Sequence, residues 1–220
     1  MSEKHLSERI LKMQVSATIE MNAKSRDLKS KGFDVISLSL GEPDFNTPDI
    51  IKNSAINAVQ ENFSKYPPIA GFQDLKKAIA DKFKKENNII YRDSEIVVST
   101  GAKQSLANVM LSLINPGDEV LLPTPYWVSY VEQIKLAGGI PVEIPTSIES
   151  DFKITPSQLK ESISEKSKII VYSSPCNPSG SVYSENELRE LSKVILSKEG
   201  IFILADEIYE YINFTGEPHT

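Results

Sequence analysis

The chain has 220 residues, of which 40% are hydrophobic and 25% charged. That is an ordinary globular composition, with room for one large domain or a little more. A net charge of −6 argues against nucleic acid and anionic membranes as partners, and no apolar run approaches the roughly 18 residues of a membrane span. The single cysteine, Cys176, excludes an internal disulfide and a cysteine-based metal cluster. With only two histidines, His5 and His219, zinc chemistry and a Ser-His-Asp triad have little to work with, and no metal site is expected. The N-terminal MSEKHLSERI lacks the apolar core of a signal peptide, so the cytoplasm is the expected compartment.

Ser16 to Lys31 carries Ile19, Ala23 and Leu28 at roughly helical spacing and stops at Gly32. Val35–Leu40 reads as a strand that opens into the turn-rich GEPDFNTP. Thr47 then caps a helix with Pro48 at its first position, running to about Phe63. Lys65 to Gly71 is an extended loop, because residues before proline avoid the helical region. A helix with Leu75, Ile79 and Phe83 four apart follows. From Glu95 strands and helices alternate. The strands are Ile96–Ser99, Glu119–Leu122, Ile140–Ile144, Lys168–Ser173 and Ile201–Ala205. The helices are Lys103–Ile114, about Tyr126–Leu136, one opened by Thr155-Pro156, and one opened by the capping box of Ser184 and Glu187. This alternation predicts an α/β domain with a mostly parallel sheet flanked by helices. The first 45 or so residues are assigned to a separate small lobe, and 46–220 to the larger domain.

Ile201–Ala205 reads as a strand buried on both faces, and it ends in two acids, Asp206 and Glu207, followed by Tyr209 and Tyr211. A carboxylate there is costly to desolvate unless a cation meets it. The ring nitrogen of a pyridoxal phosphate is one such partner. A basic side chain, or a turn capped by Asp206, is another.

In open α/β sheets ligands bind outside the carboxyl ends of the strands. Four unusual segments each follow a strand: Ser99 to Lys103, Pro123 to Trp127, Ser173 to Pro178, and Ala205 to Glu207. If the sheet is parallel, all lie on one edge. Gly101 and Ala102 open a helix whose free N–H groups suit a phosphate, with Ser99, Thr100 and Lys103 beside them, although an ordinary strand-to-helix turn looks the same. Trp127, the only tryptophan, could stack on an aromatic ring or serve simply as core. Asn177, held between Pro175 and Pro178, suits a bond to a phenolic oxygen or a carboxylate, or caps a turn. Tyr209 shares a face with Asp206 if a helical turn begins there.

Taken in order, GEPDFNTP, KYPPIAGFQDLKKAI, TGAKQSL, PTPYWVSY, SSPCNPSG and DEIYEY resemble the pyridoxal-phosphate-dependent class I aminotransferases, in particular bacterial aspartate aminotransferases. The resemblance covers essentially the whole chain. It implies that Asp206 pairs with the pyridine nitrogen and that Tyr209 and Asn177 bond to the phenolic oxygen. Trp127 would stack on the ring, while Gly101, Ala102 and Lys103 hold the phosphate. Tyr66 would reach the phosphate of a neighbouring subunit, which implies a homodimer, and Gly41, Trp127 and Asn177 would contact the amino-acid substrate. The cofactor the resemblance implies is pyridoxal 5'-phosphate. The reaction implied is transfer of an amino group from an L-amino acid, foremost aspartate, to a 2-oxo acid such as 2-oxoglutarate.

The imine-forming lysine of the family lies some tens of residues beyond the DEIYEY acid, and this chain stops at Thr220. The expectation is an N-terminal fragment, inactive alone because that lysine is both anchor and proton carrier. The other reading of different class is a non-catalytic cofactor-binding or dimerising fragment. A nicotinamide dehydrogenase would need a G-x-G-x-x-G after an early strand, which is absent. A two-carboxylate hydrolase using Glu42 and Asp44, or Asp206 and Glu207, is disfavoured because adjacent acids rarely face each other across a substrate.

Overall fold

The computed structural model describes residues 5–11, 13–14, 17–38, 41 and 45–220. Its helices are α1 (Glu8–Leu11), α2 (Ala17–Ser30), α3 (Asp49–Gln60), α4 (Gln73–Glu86), α5 (Ala102–Leu113), α6 (Ser129–Ala137), α7 (Pro156–Ser162) and α8 (Glu185–Leu196). Its strands are β1 (Glu119–Pro123), β2 (Ile140–Ile144), β3 (Ser167–Ser173) and β4 (Phe202–Asp206). Two compact units result. The first draws on Met1–Gln14 and Thr100–Thr220, the second on Val15–Ser99.

The first unit is the expected α/β arrangement, a parallel sheet of order β2–β1–β3–β4. Successive residues of a strand face opposite sides, and the two central strands are apolar on both. Val120 and Leu122 of β1 and Ile169 and Val171 of β3 pack with Leu106, Met110, Tyr130 and Ile134 from α5 and α6. The alternate residues Leu121 and Ile170 pack with Leu159, Leu191 and Ile195 from α7 and α8. Val120, Leu121 and Leu122 are fully buried, each contributing about 1.5–3 kcal/mol by leaving water.

The helix starts follow their local chemistry. Thr155 accepts from the Gln158 N–H at 3.3 Å with Pro156 in the first turn. Ser184 accepts from the Glu187 N–H at 3.3 Å, while the Glu187 carboxylate accepts from the Ser184 N–H at 2.7 Å. Between α6 and β2 the chain passes so close to the core that a Cβ on Gly139 would stand 2.8 Å from Ile114 Cγ2 and 3.0 Å from Ile134 Cγ2.

Several expectations change. No strand forms over residues 96–99, since a ladder needs a partner and none pairs with them among the described residues. Residues 35–38 are likewise outside any strand, and Ser39 and Leu40 lie outside the described residues. Pro48, not Thr47, is the N-cap of α3, with no side-chain cap bond, and the helix ends at Gln60 rather than Phe63. The helix expected from Tyr126 begins at Ser129. β4 is not buried on both faces. Among the described residues it is an end strand paired only with β3, leaving Phe202 47% and Ile203 46% exposed.

The second unit holds α2, α3 and α4, and neither α3 nor α4 has a buried residue. The Phe83 and Tyr91 rings meet edge to face at 5.3 Å, and the Val98 N–H donates to the Ala70 carbonyl at 3.0 Å.

Candidate functional site

Parallel order brings the carboxyl ends of β1, β3 and β4 to one rim. Asp206 closes β4, level with Ser173 of β3. Its carboxylate is held from two sides. Oδ2 accepts from the Tyr130 hydroxyl at 2.6 Å, and Oδ1 accepts from the Ile208 N–H at 3.3 Å. Tyr130 lies in the first turn of α6 and is 2% exposed. Burial, and then the neighbouring Asp206 carboxylate, push its phenol well above the ordinary tyrosine range, so it remains a neutral donor.

The Trp127 ring meets the Tyr130 ring edge to face, centroids 5.6 Å apart. Lys103 Nζ lies 4.8 Å from the indole centroid, a cation–π distance. Gln133 of α6 donates from Nε2 to the Lys103 carbonyl at 2.9 Å and so fixes the start of α5. Gly101 precedes α5 with φ +82°, a conformation that L side chains rarely adopt, and open space surrounds its α-carbon. α5 begins at Ala102, and its ladder opens with the Gln104 N–H donating to the Gly101 carbonyl at 3.1 Å, so the N–H groups of Ala102 and Lys103 precede the first bond of the helix. Asn177, in the loop after β3, donates from Nδ2 to the Tyr209 hydroxyl at 3.3 Å. Tyr130, Ser173, Cys176 and Asn177 line one narrow cleft. A line of contacts thus runs from α5 through Trp127 and Tyr130 to Asp206, with Asn177 and Tyr209 beside it.

Not every expected residue joins this group. Tyr66 and Gly41 belong to the second unit, where Tyr66 is fully exposed. Tyr209 does not share a helical face with Asp206. Residues 207–211 form hydrogen-bonded turns, and the Tyr209 hydroxyl accepts from Asn177 instead. The two adjacent acids diverge, Asp206 towards Tyr130 and Glu207 towards His219, whose Nε2 is 3.6 Å away. Glu42 and Asp44, the other acid pair, lie outside the described residues. Sequence reasoning assigned no role to Tyr130 or Gln133. The available signal for Tyr130 was its place three residues after Trp127, where its N–H donates to the Trp127 carbonyl at 3.0 Å.

Residues 34–218 match the family described as aminotransferase class I and II. The chain belongs to that family. Among curated relatives, the aspartate aminotransferase of Bacillus subtilis is 47% identical over 214 residues, covering 97% of this chain and 54% of the relative. The aspartate/prephenate aminotransferase of Nitrosomonas europaea is 46% identical, with 96% of this chain and 53% of the relative covered. Among solved structures, the aspartate aminotransferase of Thermus thermophilus with maleate superposes with a TM-score of 0.94 at 39% identity, over 98% of this chain and 56% of that one. The chain therefore spans about half the length of the aminotransferases it matches.

Proposed function

We propose that this chain supplies the cofactor-holding part of a pyridoxal 5'-phosphate-dependent transaminase, acting on an L-amino acid, foremost aspartate, and a 2-oxo acid such as 2-oxoglutarate. The observation that carries this reading is the Asp206 carboxylate, fixed at the rim by Tyr130 within the same unit as Trp127, the Asn177–Tyr209 pair and the start of α5. An anion, a flat indole, two polar donors and an open helix N-terminus fit a planar cationic heterocycle that bears an oxygen and a phosphate. Bound there, the cofactor would act as the sink for electrons from the substrate's α-carbon.

The chain's own residues have distinct tasks in this scheme. Asp206 holds a proton on the ring nitrogen through a charge-assisted bond of about 1.5–3 kcal/mol. Asn177 Nδ2 and the Tyr209 hydroxyl donate to the phenolic oxygen. Trp127 covers a ring face and keeps water from it. The first N–H groups of α5, with Gly101, Ala102 and Lys103, take the phosphate. Gly41, Trp127 and Asn177 meet the substrate. Aspartate is favoured by the names of the relatives and by the maleate, a four-carbon dicarboxylate, in the Thermus enzyme. Tyr66, exposed beside the equally exposed Ile69, supports a homodimer in which each copy lends this tyrosine to the other. Residues 46–220 are assigned to the large domain, 1–45 to the small one, and the cytoplasm is the assigned compartment.

No lysine follows Asp206 in the 220 residues, so this chain alone is inferred not to turn over. That favours the second reading, a non-catalytic cofactor-binding or dimerising piece, for the chain in isolation. The test is to mix it with pyridoxal phosphate, aspartate and 2-oxoglutarate, follow the cofactor's absorbance, and assay oxaloacetate. Binding without turnover is expected. Turnover at the rate of an intact transaminase would defeat the inference about the lysine, and absence of binding would defeat the cofactor reading.

A further inference from the structure

Beyond β4 the chain gathers three metal-ligating side chains in one place. Glu207 and Glu210 lie in the turns after the strand, where the Glu210 N–H donates to the Glu207 carbonyl at 3.0 Å. His219 reaches them from further along the chain, and one ligand atom from each of the three lies within 4.8 Å of the others. The imidazole is the informative member. Its side chain is only 11% exposed, both ring nitrogens are buried, and neither makes a hydrogen bond among the described residues. A neutral imidazole has one donor and one acceptor, and a charged one has two donors, so either form leaves buried polar atoms unmet. Nε2 stands 3.6 Å from the Glu207 carboxylate, near enough for attraction to a charged ring and too far for a hydrogen bond. A cation that takes one ring lone pair and two carboxylate oxygens accounts for both the unmet nitrogen and the gathered anions. We propose that Glu207, Glu210 and His219 form a site for a divalent transition-metal ion of the zinc type.

The donor set selects the class of ion. Imidazole with carboxylates suits zinc and its first-row neighbours, whereas magnesium and calcium prefer oxygen alone. Two carboxylates offset the double charge, and three protein ligands leave a tetrahedral ion one position for water. Donors about 2 Å from a shared ion lie at most about 4 Å apart, so a small swing of the glutamates closes the set. Asp206 takes no part, since its carboxylate accepts from Tyr130 and the Ile208 N–H. The site is therefore separate from the one described above, and the proposal does not rest on the cofactor reading. The scarcity of histidines excludes sites rich in imidazole, but a site with one imidazole and two carboxylates needs only one of them. A bound ion would tie the turns of residues 207–211, which carry Tyr209, to the segment that ends in His219.

The experiment titrates the full 220-residue chain, prepared without a histidine tag and stripped with a chelator, with Zn2+ in a calorimeter. One ion per chain is expected. Glu207→Gln, Glu210→Gln and His219→Gln should each weaken it at least about tenfold, His5→Gln should leave it unchanged, and excess Mg2+ should not compete. The melting temperature should rise with Zn2+ in the unaltered chain and not in His219→Gln, with far-ultraviolet circular dichroism confirming that each variant is folded. No saturable uptake, displacement by Mg2+, or loss with His5→Gln but not with His219→Gln overturns the proposal. A further measurement leaves the site intact. The chain has two histidines, so with their ring nitrogens labelled with nitrogen-15, Zn2+ should move the resonances that persist in His5→Gln. Movement confined to the other ring, or to neither, overturns the proposal even if His219→Gln fails to fold.

Discussion

The two compact units use similar helices and reach opposite outcomes. In the first, β1 and β3 give α5 and α6 one apolar face to cover and α7 and α8 the other, and Val120 to Leu122 and Ile169 to Val171 between them are buried. In the second, Ile96 is the only buried apolar residue among those described, while Ile50, Val59 and Phe63 stand 77%, 78% and 66% exposed. Amphipathic pattern and helix propensity act within a few turns, and both units have them. Burial requires a facing surface, and only the first unit contains one.

The contrast can be tested most sharply by truncating one apolar side chain in each unit. Leu122→Ala should cost about 2–5 kcal/mol, measured by urea denaturation, because a fully buried side chain leaves a cavity on both its transfer and packing terms. Ile56→Ala, at a position 53% exposed in α3, should stay within about 0.5 kcal/mol. Comparable losses at the two positions would mean that another surface covers α3 in solution. A smaller effect is expected from adding one carbon. Gly139→Ala should destabilise by about 1–3 kcal/mol, since Ile114 and Ile134 would have to move, and an unchanged melting temperature would show that this part of the core yields easily.

The smallest effect concerns charge at the start of α8. Burial opposes ionisation of Glu187, but the Ser184 N–H and hydroxyl and the Lys153 ammonium outweigh it and hold the carboxyl below its ordinary range. Burial likewise works against the Lys153 ammonium, yet Glu187 and Asp151 raise it above the ordinary lysine value. A depressed acid stabilises at pH above its unfolded value, about 4.3, and loses that contribution as pH falls through the lower folded value. The raised lysine stabilises below about 10.4 and loses its share as pH rises through the folded value. The pair therefore acts between these limits. Glu187 is 40% exposed, so solvent screening keeps the contribution to about 1 kcal/mol or less. Glu187→Gln should lower the urea midpoint at pH 7 and flatten its fall in acid, and a midpoint that falls as steeply as before would assign the acid sensitivity elsewhere.

The legible parts of the fold were those decided locally. Thr155 with Pro156 and Ser184 with Glu187 set their helix starts within four residues, and the β1 and β3 runs are apolar enough to be central strands in any parallel sheet. Ile96 to Ser99 carries the same strand signal without a ladder, because pairing depends on a neighbour that local composition does not supply. Ile201 to Ala205 likewise carries a buried-strand signal, and its outer side lacks a neighbour among the described residues. The site divides in the same way. Gly101, Trp127, Asn177 and Asp206 could be chosen because each follows a strand, whereas the bond from Tyr130 to Asp206 joins positions 76 apart and exists only once β4 lies beside β3.

The outer margin of β4 has one more consequence, for the behaviour of the chain in solution. Phe202 and Ile203 lie along a row of backbone donors and acceptors that meets no other strand among the described residues, and such a row is a template for copies of itself. A charged residue in place of Ile203 would blunt such pairing without touching the ladder to β3.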